Sequence, residues 1–423
     1  MAHIASQRRQ SADARAPTGC SGSAHLPWEE ARSVASDVPD VLRTVDVPLA
    51  EALGATLAAP LTALVSIPGC DVSAMDGYAV AGRGPWTVVG QVLAGVQPPA
   101  DSLRDGECLE VATGAPVPAR AEAVLPYEAA DRDGEMVSGP VSAPGRHIRR
   151  RGEACPKGTV LMPRGRRVSP AVIGLAAGAG HDTLAVTEPP RVRVAVTGDE
   201  VVPRGLPGSA RVRDAVGPML PGLIATAGGN HLGTQSVGDD PDRLTDALCT
   251  GEADVVTVCG ASSFGPTDHL HTVLSRLGAE TLVRGVACRP GHPQTLARMP
   301  GGRWVVGLPG NPFAALAGAL TLLDPLLGKC AGRGPARNPW ARIEGEVGPH
   351  PTDTRLVAVA GQGSSARSVG HDRPAALWGA AIADALAVVP PGWAGGPVEL
   401  LPLPAGHPQH SSHDADGGFS PRG

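Results

Sequence analysis

Apolar positions recur along this chain in two rhythms, and the change from one to the other marks its parts. Residues 28–35 carry a helical spacing, and residues 48–57 read as a second short helix. From residue 67 to residue 141 the rhythm is β-like: pieces at 86–92, 107–112 and 123–126 alternate with turns. After residue 145 a Gly- and Arg-rich connection leads to a helical stretch at 170–177, so the β-rich part reads as an insertion between N-terminal helices.

From residue 189 strands and helices alternate. Strands are predicted at 192–196, 231–237, 254–258 and 303–307. Helices are predicted at 218–227 (despite Pro221), from the capping Asp240 through 248 with Asp242 in the first turn, and at 267–277. In the last of these Leu270, Val273, Leu274 and Leu277 share one face, and a further helix starts after Asn311 with Pro312 at its first position. Such alternation predicts a doubly wound, mainly parallel sheet in an α/β multidomain chain. Residues 340–404 read as a small β-rich piece. The expected division is 26–66 with 145–188 as an N-terminal helical and linker domain, 67–144 inserted, 189–333 as the α/β domain and 337–404 as the C-terminal β-domain. Residues 1–25 and 405–423 are expected to be disordered.

Composition narrows the class. The 423 residues suit two to four domains, and with aromatics at 3% the cores must be built from Ala, Val and Leu. Lys157 and Lys329 are the only lysines, and the net charge is −5, which argues against a nucleic-acid partner. Eight cysteines form no C-x-x-C pair, so a reduced, cytoplasmic protein is expected. Residues 1–18 lack a signal-like apolar core, and no run approaches the ~20 apolar residues that span a bilayer, so no membrane role is expected.

Ligands of doubly wound sheets bind beyond the carboxyl ends of the strands. Three strand ends here carry small-residue turns: Thr197-Gly198-Asp199-Glu200, residues 259–265 with Ser263, and Pro309-Gly310-Asn311-Pro312. Singly each is an ordinary strand-to-helix turn; together they point to an anion site formed by backbone N–H groups. Glu200, Asp239 and Asp268 follow predicted strands, and Asp76 and Thr113 come from the insertion. Oxygen ligands of this kind suit Mg²⁺ with a phosphate-bearing substrate, while the residues alone favour helix capping for Asp239 and Asp268.

The ordered motifs Asp71-Val72-Ser73-Ala74-Met75-Asp76-Gly77-Tyr78-Ala79-Val80, Val111-Ala112-Thr113-Gly114-Ala115-Pro116, Arg149-Arg150-Arg151-Gly152-Glu153, Val196-Thr197-Gly198-Asp199-Glu200 and Gly307-Leu308-Pro309-Gly310-Asn311-Pro312 resemble the MoeA and gephyrin E-domain family, the molybdopterin molybdenumtransferases. The resemblance runs from about residue 27 to 404. It implies a molybdopterin-binding type of α/β domain and an elongated homodimer with a composite active site. It also implies Mg²⁺-dependent transfer of molybdenum from molybdate to adenylylated molybdopterin, with release of AMP. Asp76, Glu200, Asp239 and Asp268 match catalytic positions, the last three as metal ligands. Thr113, Ser263, Arg289, His292, Gly310 and Asn311 match substrate-binding positions. In a shared site, Asp76 and Thr113 of one subunit face Glu200, Asp239 and Asp268 of the other.

Several positions depart from the pattern: Val72 for Asn, Ala154 for Asp, Val216 for Asn, Ala261 for Gly, His292 for Lys and Ala314 for Ser, with Pro374 at or near a further serine. The thinned clamp leaves three readings: weaker substrate binding, a variant ligand, or a degenerate paralogue that binds molybdopterin or serves as a scaffold. Molybdopterin adenylylation is a further reading, opposed by the inserted domain. An unperturbed His292 predicts substrate affinity that falls between pH 6 and 8.

Overall fold

The computed structural model describes residues 25–98, 103–260, 269–335, 337–361, 363–371 and 373–404. Its centre is a six-stranded sheet formed by β1 (Arg191–Val196), β2 (Asn230–Ser236), β3 (Val255–Cys259), β4 (Glu280–Arg284), β6 (Thr295–Arg298) and β7 (Trp304–Leu308). The intervening β5 (Val286–Arg289) leaves this sheet for another. The order is β2-β1-β3-β7-β6-β4. The first four strands are parallel, while β6 and β4 are antiparallel additions. The parallel core matches expectation. The antiparallel edge arises because the tight turn in which Gly302 donates to the Met299 carbonyl joins β6 to β7, leaving no room for a crossover helix. Strands β3 and β7 are buried at every position, whereas β2, at the edge, alternates.

Helices cover both faces. On one, Leu244, Leu248, Leu270 and Leu274 pack against Val256, Val258 and Val305. On the other, Ile224, Phe313, Leu322 and Leu326 pack against Val192, Val194 and Leu308, in a core that also takes in Trp28, Leu356 and Leu386. The helix Trp28–Asp37 and the C-terminal sheet therefore share a core with the α/β layers. Asp240 caps Pro241–Cys249 as expected, accepting the amides of Asp242 and Arg243 at 2.8 and 3.2 Å. The helical stretch Pro312–Cys330 is 19 residues long and apolar enough to cross a membrane, which the sequence reading did not anticipate. Its most apolar window is 83% buried within the protein, as in a core helix.

The helix expected over 48–57 is absent. Strand Thr44–Pro48, a 3₁₀ turn at Leu49–Glu51 and strand Thr56–Leu57 replace it, with both strands pairing with Thr183–Thr187. β-Branched Thr44, Val45 and Val47 favour the strand, and Gly54 at φ +79° turns the chain where a helix would continue.

The insertion is a six-stranded sheet in the order Asp131–Asp133, Met136–Ser138, Trp86–Val92, Glu107–Val111, Gly77–Val80, Ala123–Pro126. Ala79, Leu109 and Val124 fill one face and Tyr78, Trp86 and Leu125 the other. Gly77 is required by close approach: a Cβ there would lie 2.1 Å from the Leu125 carbonyl oxygen. The C-terminal sheet has seven strands, and β5 joins it, parallel to Leu26–Pro27 on one side and to Thr354–Ala360 on the other. That crossing carries Arg289 from the α/β layer to the C-terminal sheet.

Candidate functional site

The turns at the carboxyl ends of β1, β2, β3 and β7 meet. Thr197 donates through both its amide and its hydroxyl to the Cys259 carbonyl, at 2.9 and 3.0 Å. Gly260 donates to Leu308 at 3.0 Å. Gly260 lies at φ +100°, and a Cβ there would meet the Thr197 hydroxyl at 2.9 Å; one on Gly310 would come 3.5 Å from the Gly260 Cα. Only small residues let the three turns approach this closely.

Carboxylates crown this edge. The Asp199 amide donates to Asp239 Oδ2 and the Asp239 amide to Asp199 Oδ1, both at 3.3 Å. This reciprocal pair ties the β1 turn to the β2 turn. Asp199, not among the residues expected from the sequence, stands in the same turn as Glu200 and sits opposite Asp239. Glu200 is exposed beside Gly198, whose φ of +112° leaves the space that a Cβ would close to 2.8 Å from Glu200 Oε2. Ser263 and Asp268 lie outside the described residues. Among the described residues no three His, Cys, Asp or Glu side chains gather closely enough to hold a metal.

On the far side of the turn 309–311 opens a cavity of about 400 Å³, whose walls include Arg289, His292, Asn311, Ala314, Arg355 and Pro374. Three positions matched in the sequence to substrate binding, Arg289, His292 and Asn311, thus share a wall with the altered positions Ala314 and Pro374. Arg355 was not anticipated; its register partner across the sheet is Arg289, and no local sequence signal marks that pairing. The Arg355 Nη1 donates to the Gly348 carbonyl. Arg289 Nε donates to Asp353 Oδ2 at 2.7 Å.

Two expectations change at this cavity. Asn311 occupies the cap position of the following helix but makes no side-chain capping bond. Instead the Pro374 carbonyl accepts the amides of Phe313 and Ala314 at 3.0 and 3.4 Å, and the Ala315 amide bonds to the Asn311 carbonyl at 2.8 Å. The first-turn amides, expected to face an anion, are therefore occupied. His292 also differs. Burial, the edge-on ring of His25 at 4.6 Å and the charge of Arg289 hold its pKa below the ordinary imidazole value, against an opposing pull from Asp353. The charge loss expected between pH 6 and 8 moves to lower pH, leaving a neutral imidazole in the wall.

The insertion contributes a separate pair. The Thr113 amide donates to Asp76 Oδ1 at 2.6 Å, and both residues are exposed. Below them Asp71 accepts Arg150 Nη1 at 2.6 Å and the Arg151 amide at 2.8 Å, and these bonds lower its pKa, led by that from the Arg151 amide. Of the altered positions, Val72 pairs with Arg149 in a two-stranded ladder, the Ala154 amide donates to the Ile67 carbonyl, and Val216 is buried in the core. Among the described residues no hydrogen bond or ion pair joins Asp76 or Thr113 to Glu200 or Asp239 within one chain.

Known proteins share the family and the fold of this chain. Residues 26–180 match the family described as MoeA N-terminal region (domain I and II), and residues 193–329 match the probable molybdopterin binding domain. The chain is 34% identical over 320 residues to the molybdopterin molybdenumtransferase of Synechococcus elongatus, covering 71% of this chain and 79% of that protein. It is also 34% identical over 320 residues to molybdopterin molybdenumtransferase 2 of Mycobacterium tuberculosis, covering 71% and 78%. Among solved structures, the molybdopterin biosynthesis MoeA protein of Pyrococcus horikoshii superposes with a TM-score of 0.75 at 27% identity, covering 90% of this chain and 99% of that one.

Proposed function

The chain belongs to the MoeA family of molybdopterin molybdenumtransferases, and from that premise we propose that it transfers molybdenum from molybdate to adenylylated molybdopterin and releases AMP. Its place is in molybdenum cofactor biosynthesis.

One observation carries the reading. An acidic edge (Asp199, Glu200, Asp239) and a cationic cavity (Arg289, Arg355) are joined by the single turn 309–311, in which Pro309 and Asn311 line the cavity and Gly310 abuts Gly260. Opposite poles on either side of one turn suit a diphosphate. The guanidinium groups balance its charge and orient it; the carboxylates face the end where a divalent ion belongs.

The donor set fits Mg²⁺. Asp199 and Asp239 each hold one carboxylate oxygen on a backbone amide and keep the other, and Glu200 stands exposed in the same turn. Among the described residues the hard oxygen donors are too few for an all-protein cage, which matches an ion shared between one or two carboxylates and substrate phosphates. Bound there by Glu200 and Asp239, with Asp268 as a third candidate, Mg²⁺ would neutralise the diphosphate and make its bridging oxygen a better leaving group. The protein's own contribution is position: Arg289 and Arg355 orient the phosphates, His292 offers a neutral imidazole, and the turns at Gly260 and Gly310 admit the substrate backbone closely.

Asp76 and Thr113 enter the proposal through a homodimer, where they face Glu200 and Asp239 of the other subunit. The exposure of both residues supports this. The free state of Cys70, Cys108, Cys155, Cys249, Cys259, Cys288 and Cys330 supports action in the reducing cytoplasm.

The test is AMP release by the purified protein from adenylylated molybdopterin, with molybdate and Mg²⁺. Release should need both ions and fall about a hundredfold or more in Glu200→Gln and Asp239→Asn. Tight substrate binding with no AMP release under any of these conditions overturns the reading.

A further inference from the structure

The salt bridge between Arg289 and Asp353 joins an exposed guanidinium to a largely covered carboxylate. Arg289 is matched to a clamp position, and only its Nε is engaged, by Asp353 Oδ2 at 2.7 Å. Among the described residues its two terminal nitrogens have no hydrogen-bond partner. They belong to a side chain in the wall of the 400 Å³ cavity. Asp353 is not in that wall. It lies in the wall of a different cavity, of about 500 Å³, together with His25, Trp28 and Thr352, so it holds Arg289 from behind.

The carboxylate is itself held firmly. Its side chain is 16% exposed, Oδ1 accepts the Thr352 hydroxyl at 3.0 Å, and its amide donates to His350 Nδ1 at 3.0 Å. The next two residues are fixed by ladder pairing, Thr354 opposite Cys288 and Arg355 opposite Arg289. Arg289 thus ends one strand, and Asp353 immediately precedes the parallel strand beside it. Burial works against its ionised form, but the hydrogen bonds from Arg289 and the Thr352 hydroxyl outweigh it, and its pKa lies below the usual carboxylate range.

We propose that Asp353 is a positioning residue for the reaction above: by fixing Arg289 at Nε it presents both terminal guanidinium nitrogens to a phosphate in the cavity. A guanidinium held at Nε keeps its planar pair of terminal nitrogens for two parallel bonds to an oxyanion. Unheld, the same long side chain samples many rotamers and must be ordered by the substrate at each binding event. An ion pair with one well-exposed partner contributes little to stability, so the consequence falls on substrate binding.

This inference rests on the proposed transferase reading, and the experiment separates the two. Asp353→Ala is expected to raise the KM for adenylylated molybdopterin about tenfold and leave kcat within about twofold. Asp353→Asn, which keeps an acceptor oxygen for Nε, should fall between it and the natural protein. In an Arg289→Ala background, Asp353→Ala should add nothing, because its effect runs through the missing guanidinium. An unchanged KM, or full additivity with Arg289→Ala, overturns the inference; a purely structural role for Asp353 gives additivity and a lower melting temperature. Should the natural protein release no AMP, the same cycle is read by calorimetric titration with inorganic pyrophosphate. A coupled loss of affinity then sustains the Asp353–Arg289 relationship while the transferase reading falls, and uncoupled losses or no loss defeat it.

Discussion

Pro374 and Ala314, both altered relative to the family pattern in the sequence, are bonded to each other: the Ala314 amide donates to the Pro374 carbonyl at 3.4 Å, and Phe313 donates to the same oxygen at 3.0 Å. A carbonyl from the C-terminal domain occupies the N-terminus of the helix that follows Gly310 and Asn311. Dipole attraction remains, but the amides themselves are occupied. In the proposed reaction, phosphate recognition in the neighbouring cavity then falls to side chains.

Adding a hydroxyl at this point should restore a donor. Ala314→Ser is expected to lower the substrate KM about two- to tenfold, the range of one neutral hydrogen bond. Initial rates of AMP release at varied substrate check it; an unchanged KM means that the position is not in contact with substrate.

His292 makes a prediction with a definite sign. Its pKa in the folded chain lies below the ordinary value, so the unfolded chain takes up the proton first on acidification. The stability tied to its neutral form is complete above pH ~6.5 and is lost as pH falls from there towards the lowered value. Melting temperatures recorded between pH 8 and pH 5 should fall at the acid end, and less steeply in His292→Gln. Substrate KM should show no His292-dependent change between pH 7 and 8, where the ring is already neutral.

The shared site can be tested by mixing subunits. Asp76→Asn and Glu200→Gln chains, each inactive alone, should recover about half the natural activity in a purified mixed dimer, because one of its two composite sites is intact. No recovery in demonstrated mixed dimers defeats the arrangement.

One buried bond ties the N-terminal helix to the α/β core. Trp28 Nε1 donates to the Thr321 hydroxyl at 3.0 Å, and that hydroxyl donates onward to the Ala317 carbonyl at 2.7 Å. Thr321→Val keeps the shape but leaves the indole N–H without an acceptor in a closed core. Unfolding in denaturant should show a loss of about 1–3 kcal/mol.

Some of this molecule was plain in its residues. The strand at Trp86–Val92 and that at Ala123–Pro126 have the predicted limits, and the capping by Asp240 was readable from its place before Pro241. These features are local, and a short window of side chains settles them. The region 48–57 misled because a short apolar spacing fits a helix as well as two strands, and the strand Thr183–Thr187 that decides between them lies far along the chain.

Sequence alone determined the strand–helix alternation, the small-residue turns at the strand ends and the residues that could carry charge. Hydrophobic periodicity and turn chemistry act over a few residues, so they can be read without a structure. Tertiary structure decided that β5 leaves its own sheet, that Arg355 stands beside Arg289, that Asp353 restrains Arg289 from behind, and that Pro374 closes a helix end. Each of these joins segments far apart in the chain. Their meeting depends on how whole layers pack around a common core, and no local propensity encodes it.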